Sequence, residues 1–216
     1  MFDVTVLTQN AHLIWQGLLI TLYYTAITIG AGLLIGLLIG LLQLSRSPAL
    51  IWIGRCYVEF FRNIPLLVIL LWTYYALPIF LSVNITKGWA GFLALSCYVG
   101  SFYAEILRAG VQSIDPGQSD AATALGMSYG QRMRRIILPQ ALRRMIPPRA
   151  GQSIIQMKNT TLLSIITVPD MLYQASYISS FTYRPMEVYT AVGVLFVLIL
   201  APLTTLARRL EKQSHA

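Results

Sequence analysis

Ser119 to Pro139, SDAATALGMSYGQRMRRIILP, is the longest polar, charge-bearing interval in a chain otherwise made of apolar runs. Pro116-Gly117 predicts a turn just before it. Ser119 predicts the N-cap of a short helix, and Asp120 places a negative charge in the first turn, where the helix dipole favours one. Gly126 predicts the end of this helix, because glycine readily adopts the left-handed backbone conformation.

A second helix is predicted directly after this turn. Ser128 is its expected N-cap, and the helix carries Arg132, Arg134 and Arg135 before it reaches Ile137-Leu138-Pro139. A short helix with small side chains, followed by a basic surface, is typical of an element that docks on another protein. An ordinary amphipathic helical hairpin that lies on a membrane is the alternative.

The composition indicates an integral membrane protein. Of the 216 residues, 56% are hydrophobic and only 11% are charged, whereas a soluble domain has about 25% charged residues. The net charge of +8 could indicate a nucleic-acid partner. The positive charges lie between apolar segments, however, so membrane topology explains them better and no nucleic acid is expected.

Five apolar runs are long enough to cross a bilayer, for which about 20 residues are needed. They predict an all-α membrane protein with a single domain at 13–210 and a polar loop at 116–148 between the third and fourth spans. The runs lie at about 13–44, 64–83, 88–107, 150–169 and 188–206. In the first run Gly32, Gly36 and Gly40 share one helical face, which predicts a close helix contact, more simply within the chain than between subunits.

Basic residues concentrate in alternate connections between these runs. The positive-inside rule then places the N-terminus outside and both the C-terminus and the 116–148 loop in the cytoplasm. The basic residues are Arg46, Arg55 and Arg62 after the first run, Arg132, Arg134, Arg135, Arg143, Arg144 and Arg149 after the third, and Arg208, Arg209 and Lys212 after the fifth.

The polar interval resembles a known family motif. Asp120-Ala121-Ala122, then Gly126, then Ile137-Leu138-Pro139 is similar to the EAA loop of bacterial ABC-importer permeases, with Asp where glutamate is usual. The resemblance implies a type I ABC importer permease fold in which this loop is the coupling helix, seated in a groove of a separate ATPase. It assigns ATPase coupling to Asp120, Ala121, Ala122, Leu125, Gly126 and Met127.

Three further segments resemble the polar amino acid branch of that family. They are EFFRNIPLL at 59–67, YAEILRAG at 103–110 and KNTTL at 158–162. The 62–67 segment looks most like the glutamate/aspartate permeases. Some relatives have an aspartate where this chain has Asn159, so the missing carboxylate argues against a cationic substrate. The resemblance implies transport of a polar amino acid, with glutamate or aspartate as the expected substrate.

The same resemblance implies a set of partners. These are two cytoplasmic ATP-binding subunits, a second permease chain that is identical or homologous, an external amino-acid-binding protein, and the lipid of a bacterial inner membrane. None of the three lysines stands in a phosphate-binding Gly-x-x-x-x-Gly-Lys-Ser/Thr frame. We therefore expect no enzyme activity and no bound cofactor or metal, with ATP and Mg²⁺ used by the partner.

An ATPase-independent secondary transporter or channel is the alternative function. Secondary transporters are often built from internal repeats. The chain contains no second copy of either the 119–139 or the 158–162 segment, which counts against this alternative.

Lys158 is the sharpest candidate for a substrate contact. It is expected well inside the fourth span, where an ionisable residue is a functional candidate by default. Together with Asn159, Thr160 and Thr161 it forms the predicted substrate path. The structural alternative is that Lys158 only pairs with Glu105 or a backbone carbonyl.

Two pairs of opposite charges are spaced three residues apart. Glu59 with Arg62, and Glu105 with Arg108, are each expected to share one helix face. We predict that both are structural ion pairs rather than ligand contacts.

Overall fold

The computed structural model describes residues 5–214, with side chains described as far as Arg209, and confirms the all-α prediction. In this part of the chain three helices are long and apolar enough to cross a membrane. They are α2 (Ala11–Gln43), α6 (Lys87–Gln112) and α11 (Pro185–Ser214), in which the candidate span is Pro185–Arg209. A short helix, α1 (Thr5–Gln9), precedes α2. The predicted domain end at 210 and the tail residue Lys212 lie outside the described side chains.

The second predicted span is broken and has a helix in front of it. Helix α3 (Pro48–Asn63) occupies what the sequence presents as a connection, because Arg55, Glu59 and Arg62 interrupt its apolar pattern. After a sharp bend come α4 (Leu66–Leu71), a π-helical turn (Trp72–Ala76) and α5 (Leu77–Leu81). The two arms meet at 101° and would count as one further crossing if they act as a single span.

Pro65 explains the bend between α3 and α4. Its ring disfavours a helical conformation for the preceding residue, and Ile64 is extended, with φ −96° and ψ 131°. Pro65 itself stands at the N-cap of α4, where its missing N–H costs no helical hydrogen bond.

The fourth predicted span, 150–169, is not one straight helix. The chain runs through α7 (Pro116–Ala124), α8 (Tyr129–Arg132), a π-helical turn (Met133–Ile137) and α9 (Leu138–Asn159). A 3₁₀ segment (Thr160–Ile166) follows α9, and Thr167 then takes a left-handed conformation with φ 61°. Since α9 carries several arginines and ends at Asn159, it does not form a long apolar helix of its own.

The stretch 170–187, which the sequence presents as loosely polar, contains helix α10 (Met171–Thr182). One face of α10 is buried in a cluster with α2 and the start of α11. The members of this cluster are Ile14, Leu18, Met171, Ala175, Ile178, Val188 and Val192.

Helices α2 and α6 approach each other closely along the glycine face predicted from the sequence. A Cβ atom at Gly32 would lie 2.3 Å from Val99 Cγ1, and one at Gly36 would lie 2.5 Å from Tyr103 Cβ. A Cβ at Gly40 would lie 2.6 Å from Leu107 Cδ2. The three glycines therefore serve packing within the chain, as the sequence favours.

Replacing Gly36 by alanine should separate α2 from α6. The new methyl group would also lie 3.0 Å from the backbone nitrogen of Ala104, which cannot move aside like a flexible side chain. We expect a loss of about 1–3 kcal/mol in stability, measured by thermal unfolding of the protein in detergent. Gly30→Ala is the matched control, because its methyl group would meet nothing within 4 Å. Equal stability of the two variants would contradict this packing.

Candidate coupling surface and substrate path

Helix α7 begins four residues earlier than predicted. Asp115 is the N-cap, and its Oδ1 accepts a hydrogen bond from Gly117 N at 2.8 Å. The prediction that Ser119 caps this helix is therefore wrong. The combination of Asp115 at the N-cap and Pro116 at the first helical position is the stronger start signal.

Gly126 closes α7 as predicted. Its φ is +74°, its amide donates to Thr123 O at 2.9 Å, and the amide of Met127 donates to Ala122 O at 3.1 Å. These two bonds form a Schellman motif, in which a left-handed residue ends the helix.

Ser128 caps the next helix, also as predicted. Its Oγ accepts from Gln131 N at 3.4 Å, while its own amide donates to Gln131 Oε1 at 2.9 Å. This reciprocal capping box fixes the start of α8 relative to the end of α7.

The predicted coupling residues do not all face outward. Asp120, Ala121 and Gly126 are exposed, and the Leu125 side chain is 81% exposed although it is fully apolar. Ala122, by contrast, is buried in its own chain at 1% exposure. The small size of Ala122 serves internal packing, which corrects the expectation that it lies on the docking surface.

Arg132 holds α7 against α8. Its Nη1 donates to Thr123 Oγ1 at 2.5 Å and to the carbonyl of Ser119 at 3.4 Å. Next to this contact, Ile114, in the short connection between α6 and α7, packs with Ile137, Ala141 and Met145. The α7–α8 element, which is the candidate for coupling, is therefore a folded unit with an exposed tip at Leu125.

Lys158 lies at the end of α9, one residue before the helix stops, and not in the middle of a continuous span. Its exposed side chain lines a groove of about 960 Å³ between α9 and α11. Arg144 and Arg208 line the same groove, so its wall carries three cations. Among the described side chains Lys158 forms no ion pair within 4.0 Å, and the alternative of a Lys158–Glu105 pair is not observed.

After Asn159 the α-helix changes to the 3₁₀ segment. Thr160 is fully buried and donates its hydroxyl to Met157 O at 2.7 Å, while Thr161 donates to Lys158 O at 2.8 Å. Asn159 is half-buried. Thr160 is therefore placed in the packing of the chain and not on the groove wall.

Only one of the two predicted ion pairs has the expected partners. Arg108 donates to Glu105 through Nη2 at 2.5 Å and through Nε at 3.0 Å. Arg62 instead lies 4.0 Å from Glu105 and stacks over Phe102. The predicted Glu59–Arg62 pair is wrong, because Arg62 reaches across to Glu105 on α6 and Glu59 instead accepts from Asn63 Nδ2 at 2.9 Å.

A polar cross-link inside the bundle was not predicted. Gln156, on α9, is fully buried and donates to the hydroxyl of Thr28, on α2, at 3.1 Å. Its signal in the sequence is a glutamine inside an apolar run, which has to find a partner when it is buried.

Asp170 is a second buried polar residue that the sequence did not reveal. It caps α10 by accepting from Tyr173 N at 2.9 Å, and its other oxygen is buried without a hydrogen-bond partner. Burial raises the pKa of this carboxyl to about 7. In the described part of the chain no cluster of histidine, cysteine, aspartate and glutamate side chains could hold a metal ion.

Residues 32–214 match the family described as the binding-protein-dependent transport system inner membrane component. The chain belongs to this family. It is 35% identical over 211 residues to the probable glutamine ABC transporter permease protein GlnM of Bacillus subtilis strain 168, covering 98% of this chain and 97% of that protein.

Two further similarities agree with this membership. The glutamate/aspartate import permease protein GltK of Escherichia coli O6:H1 is 33% identical over 220 residues, which cover 99% of this chain and 98% of GltK. A crystal structure of an amino acid ABC transporter with histidines contains a chain that superposes with a TM-score of 0.93 at 32% identity, covering 99% of each chain.

Family membership decides between the two functions considered from the sequence. A binding-protein-dependent inner membrane component is the permease subunit of an ABC transporter, and ATP hydrolysis takes place on a separate subunit. This chain is therefore not an enzyme, and the ATPase-independent alternative is set aside.

The Schellman motif at the tip of α7 gives a local test of the structure. Gly126→Val should destabilise the turn by about 1–2 kcal/mol, because a residue with a Cβ is disfavoured at positive φ. Gly126→Asn should stay nearer to the wild type, since asparagine tolerates this conformation. Hydrogen exchange of the amides at 117–127 measures the effect, and equal protection in both variants would contradict the left-handed turn.

Proposed function

We propose that this chain, the permease subunit of an ABC amino acid importer, carries glutamate or aspartate across the bacterial inner membrane. The observation that carries the proposal is Lys158, an exposed cation without an ion-pair partner among the described residues, in a groove that also holds Arg144 and Arg208. A cationic wall attracts a carboxylate through charge-assisted hydrogen bonds. An acidic amino acid has two carboxylates, and GltK is a glutamate/aspartate permease.

The change from α9 to the 3₁₀ segment after Asn159 supports a binding role for this segment. Transporters commonly build their substrate sites where a membrane helix is interrupted, because the interruption exposes polar groups at depth. In our proposal Lys158 contacts a substrate carboxylate, Asn159 and Thr161 border the same site, and the buried Thr160 maintains the break. The five membrane crossings, with the N-terminus outside and the C-terminus in the cytoplasm, are part of this proposal.

The proposed assembly contains two permease chains, two cytoplasmic ATPases and an external binding protein. The groove at Lys158 is open on one side, and a second permease would enclose it. Each ATPase receives one α7, with the exposed face at Asp120, Ala121 and Leu125 directed into it. Leu125 is the apolar anchor of this contact, since a leucine 81% exposed in the isolated chain gains stability when it is buried.

Leu125→Ser should weaken ATPase binding by about 2 kcal/mol, or roughly thirtyfold. Co-purification of the ATPase at graded concentrations measures this loss. Leu125→Met keeps an apolar side chain of similar volume and should bind as the wild type does. If the serine variant retains full ATPase binding, α7 is not the docking element.

Lys158→Ala should abolish uptake in proteoliposomes that contain the complete importer, whereas Lys158→Arg, which keeps the charge, should retain part of it. Assembly and basal ATP hydrolysis should stay unchanged in both variants, because Lys158 makes no ion pair that holds described helices together. Wild-type uptake by the alanine variant would refute the assigned site.

Competition between unlabelled amino acids tests the substrate. Glutamine is the second candidate, favoured by the 35% identity to the glutamine permease GlnM. We expect glutamate and aspartate to inhibit labelled glutamate uptake most strongly. Stronger inhibition by glutamine would favour the second candidate, and stronger inhibition by arginine would contradict the cationic groove.

A further inference from the structure

Tyr129, the first residue of α8, contacts two arginines from different parts of the chain. The guanidinium carbon of Arg46 lies 4.6 Å from the centre of the Tyr129 ring, and that of Arg132 lies 5.5 Å from it. Both distances fall within the range of cation–π attraction. We call these three residues the Arg46–Tyr129–Arg132 cluster.

The Arg46 side of the cluster is anchored to the end of α2. Arg46 belongs to the turn between α2 and α3, where the Ser47 amide donates to Ser45 Oγ at 3.2 Å. The buried Gln43 side chain donates to Gly54 O at 3.1 Å and so ties the end of α2 to α3. These bonds give Arg46 little freedom to move independently of α2.

The Arg132 side of the cluster is anchored to α7. The guanidinium group that approaches Tyr129 also donates to Thr123 Oγ1 and to Ser119 O. The capping box of Ser128 and Gln131 fixes the backbone on both sides of Tyr129. A displacement of α7 therefore moves Arg132 and Tyr129 with it.

We propose that the Arg46–Tyr129–Arg132 cluster transmits movement of the docking helix α7 to α2, and that Tyr129 is a positioning residue for the coupling of ATP hydrolysis to transport. This inference rests on the docking role proposed for α7. Along the chain, α7 is preceded directly by α6 and is followed, through α8, by α9. Helix α2 is remote in sequence, and Tyr129 reaches the end of α2 through Arg46. Because α2 packs on α6 through its glycines, a shift of α2 would reach the core of the bundle.

The chemistry of the cluster suits a contact that changes during a transport cycle. Arg46 and Tyr129 are both exposed, and cation–π contacts at exposed sites are individually weak. Such a contact can adjust its geometry at each cycle at a small cost in free energy.

The test uses the complete importer in proteoliposomes and measures amino acid transported per ATP hydrolysed. Tyr129→Leu should lower this ratio by about two- to fivefold, the range that corresponds to the loss of an exposed cation–π contact. Tyr129→Phe retains the ring and should restore the wild-type ratio. Arg55→Gln is the charge-matched control, since Arg55 is an exposed arginine on α3 for which no contact with Tyr129 is seen in the structure.

Arg46→Gln should lower the ratio to a similar extent, and the Arg46→Gln/Tyr129→Leu double variant should be no worse than the stronger single variant. Residues that act through one contact are non-additive in this way. Additive losses, or a phenylalanine variant as impaired as the leucine variant, would overturn the inference.

Two further outcomes separate this inference from the docking proposal beneath it. Loss of ATPase co-purification from Tyr129→Leu would overturn the positioning role, because the residue would then belong to the docking contact itself. An importer that loses its ATPase with Leu125→Ser but keeps the wild-type transport ratio with Tyr129→Leu would uphold docking at α7 and refute the cluster alone.

Discussion

The close approach of α2 and α6 is the contact on which the rest of the structure depends. Three glycines let α2 and α6 meet at distances that no side chain with a Cβ allows. In a bilayer the hydrophobic effect does not drive helices together, so close packing and hydrogen bonds must do so. Most of the other helices pack on this pair: α4 and α9 pack mainly against α6, α10 packs against α2, and α3 and the 3₁₀ segment contact both. Helix α11 packs on α9 and α10.

Polar side chains complete what glycine packing begins. Gln156 joins α9 to Thr28 on α2, and Thr21 on α2 accepts from the backbone of Met171 at the start of α10. Just after the 3₁₀ segment, the carbonyl of Thr167 accepts a hydrogen bond from Lys87 at 2.8 Å, which ties the end of this segment to the start of α6. The two buried bonds, at Gln156 and Thr21, hold these elements in one arrangement, since unpaired polar groups are costly in the interior.

The same arrangement separates the two proposed functional regions. The coupling element, α7 and α8, is held together by local hydrogen bonds and presents an exposed apolar tip. The cationic groove follows α9 from Arg144 to Lys158. Since α8 continues into α9 through a π-helical turn, one helical segment joins the docking tip to the groove. A movement of the tip is thereby directed towards the residues that border the proposed substrate path.

The sequence by itself determined the membrane class, the glycine face of α2 and the closure of α7 at Gly126, because each rests on composition or on local backbone preferences. It also determined the family, because short motifs carry that resemblance. Only the tertiary structure decided which side chains meet. It buried Ala122 and Thr160, directed Arg62 to Glu105 instead of Glu59, and broke the expected fourth span after Asn159. Hydrophobic runs report how apolar a segment is, but bends and partners depend on the packing of segments that are remote in sequence.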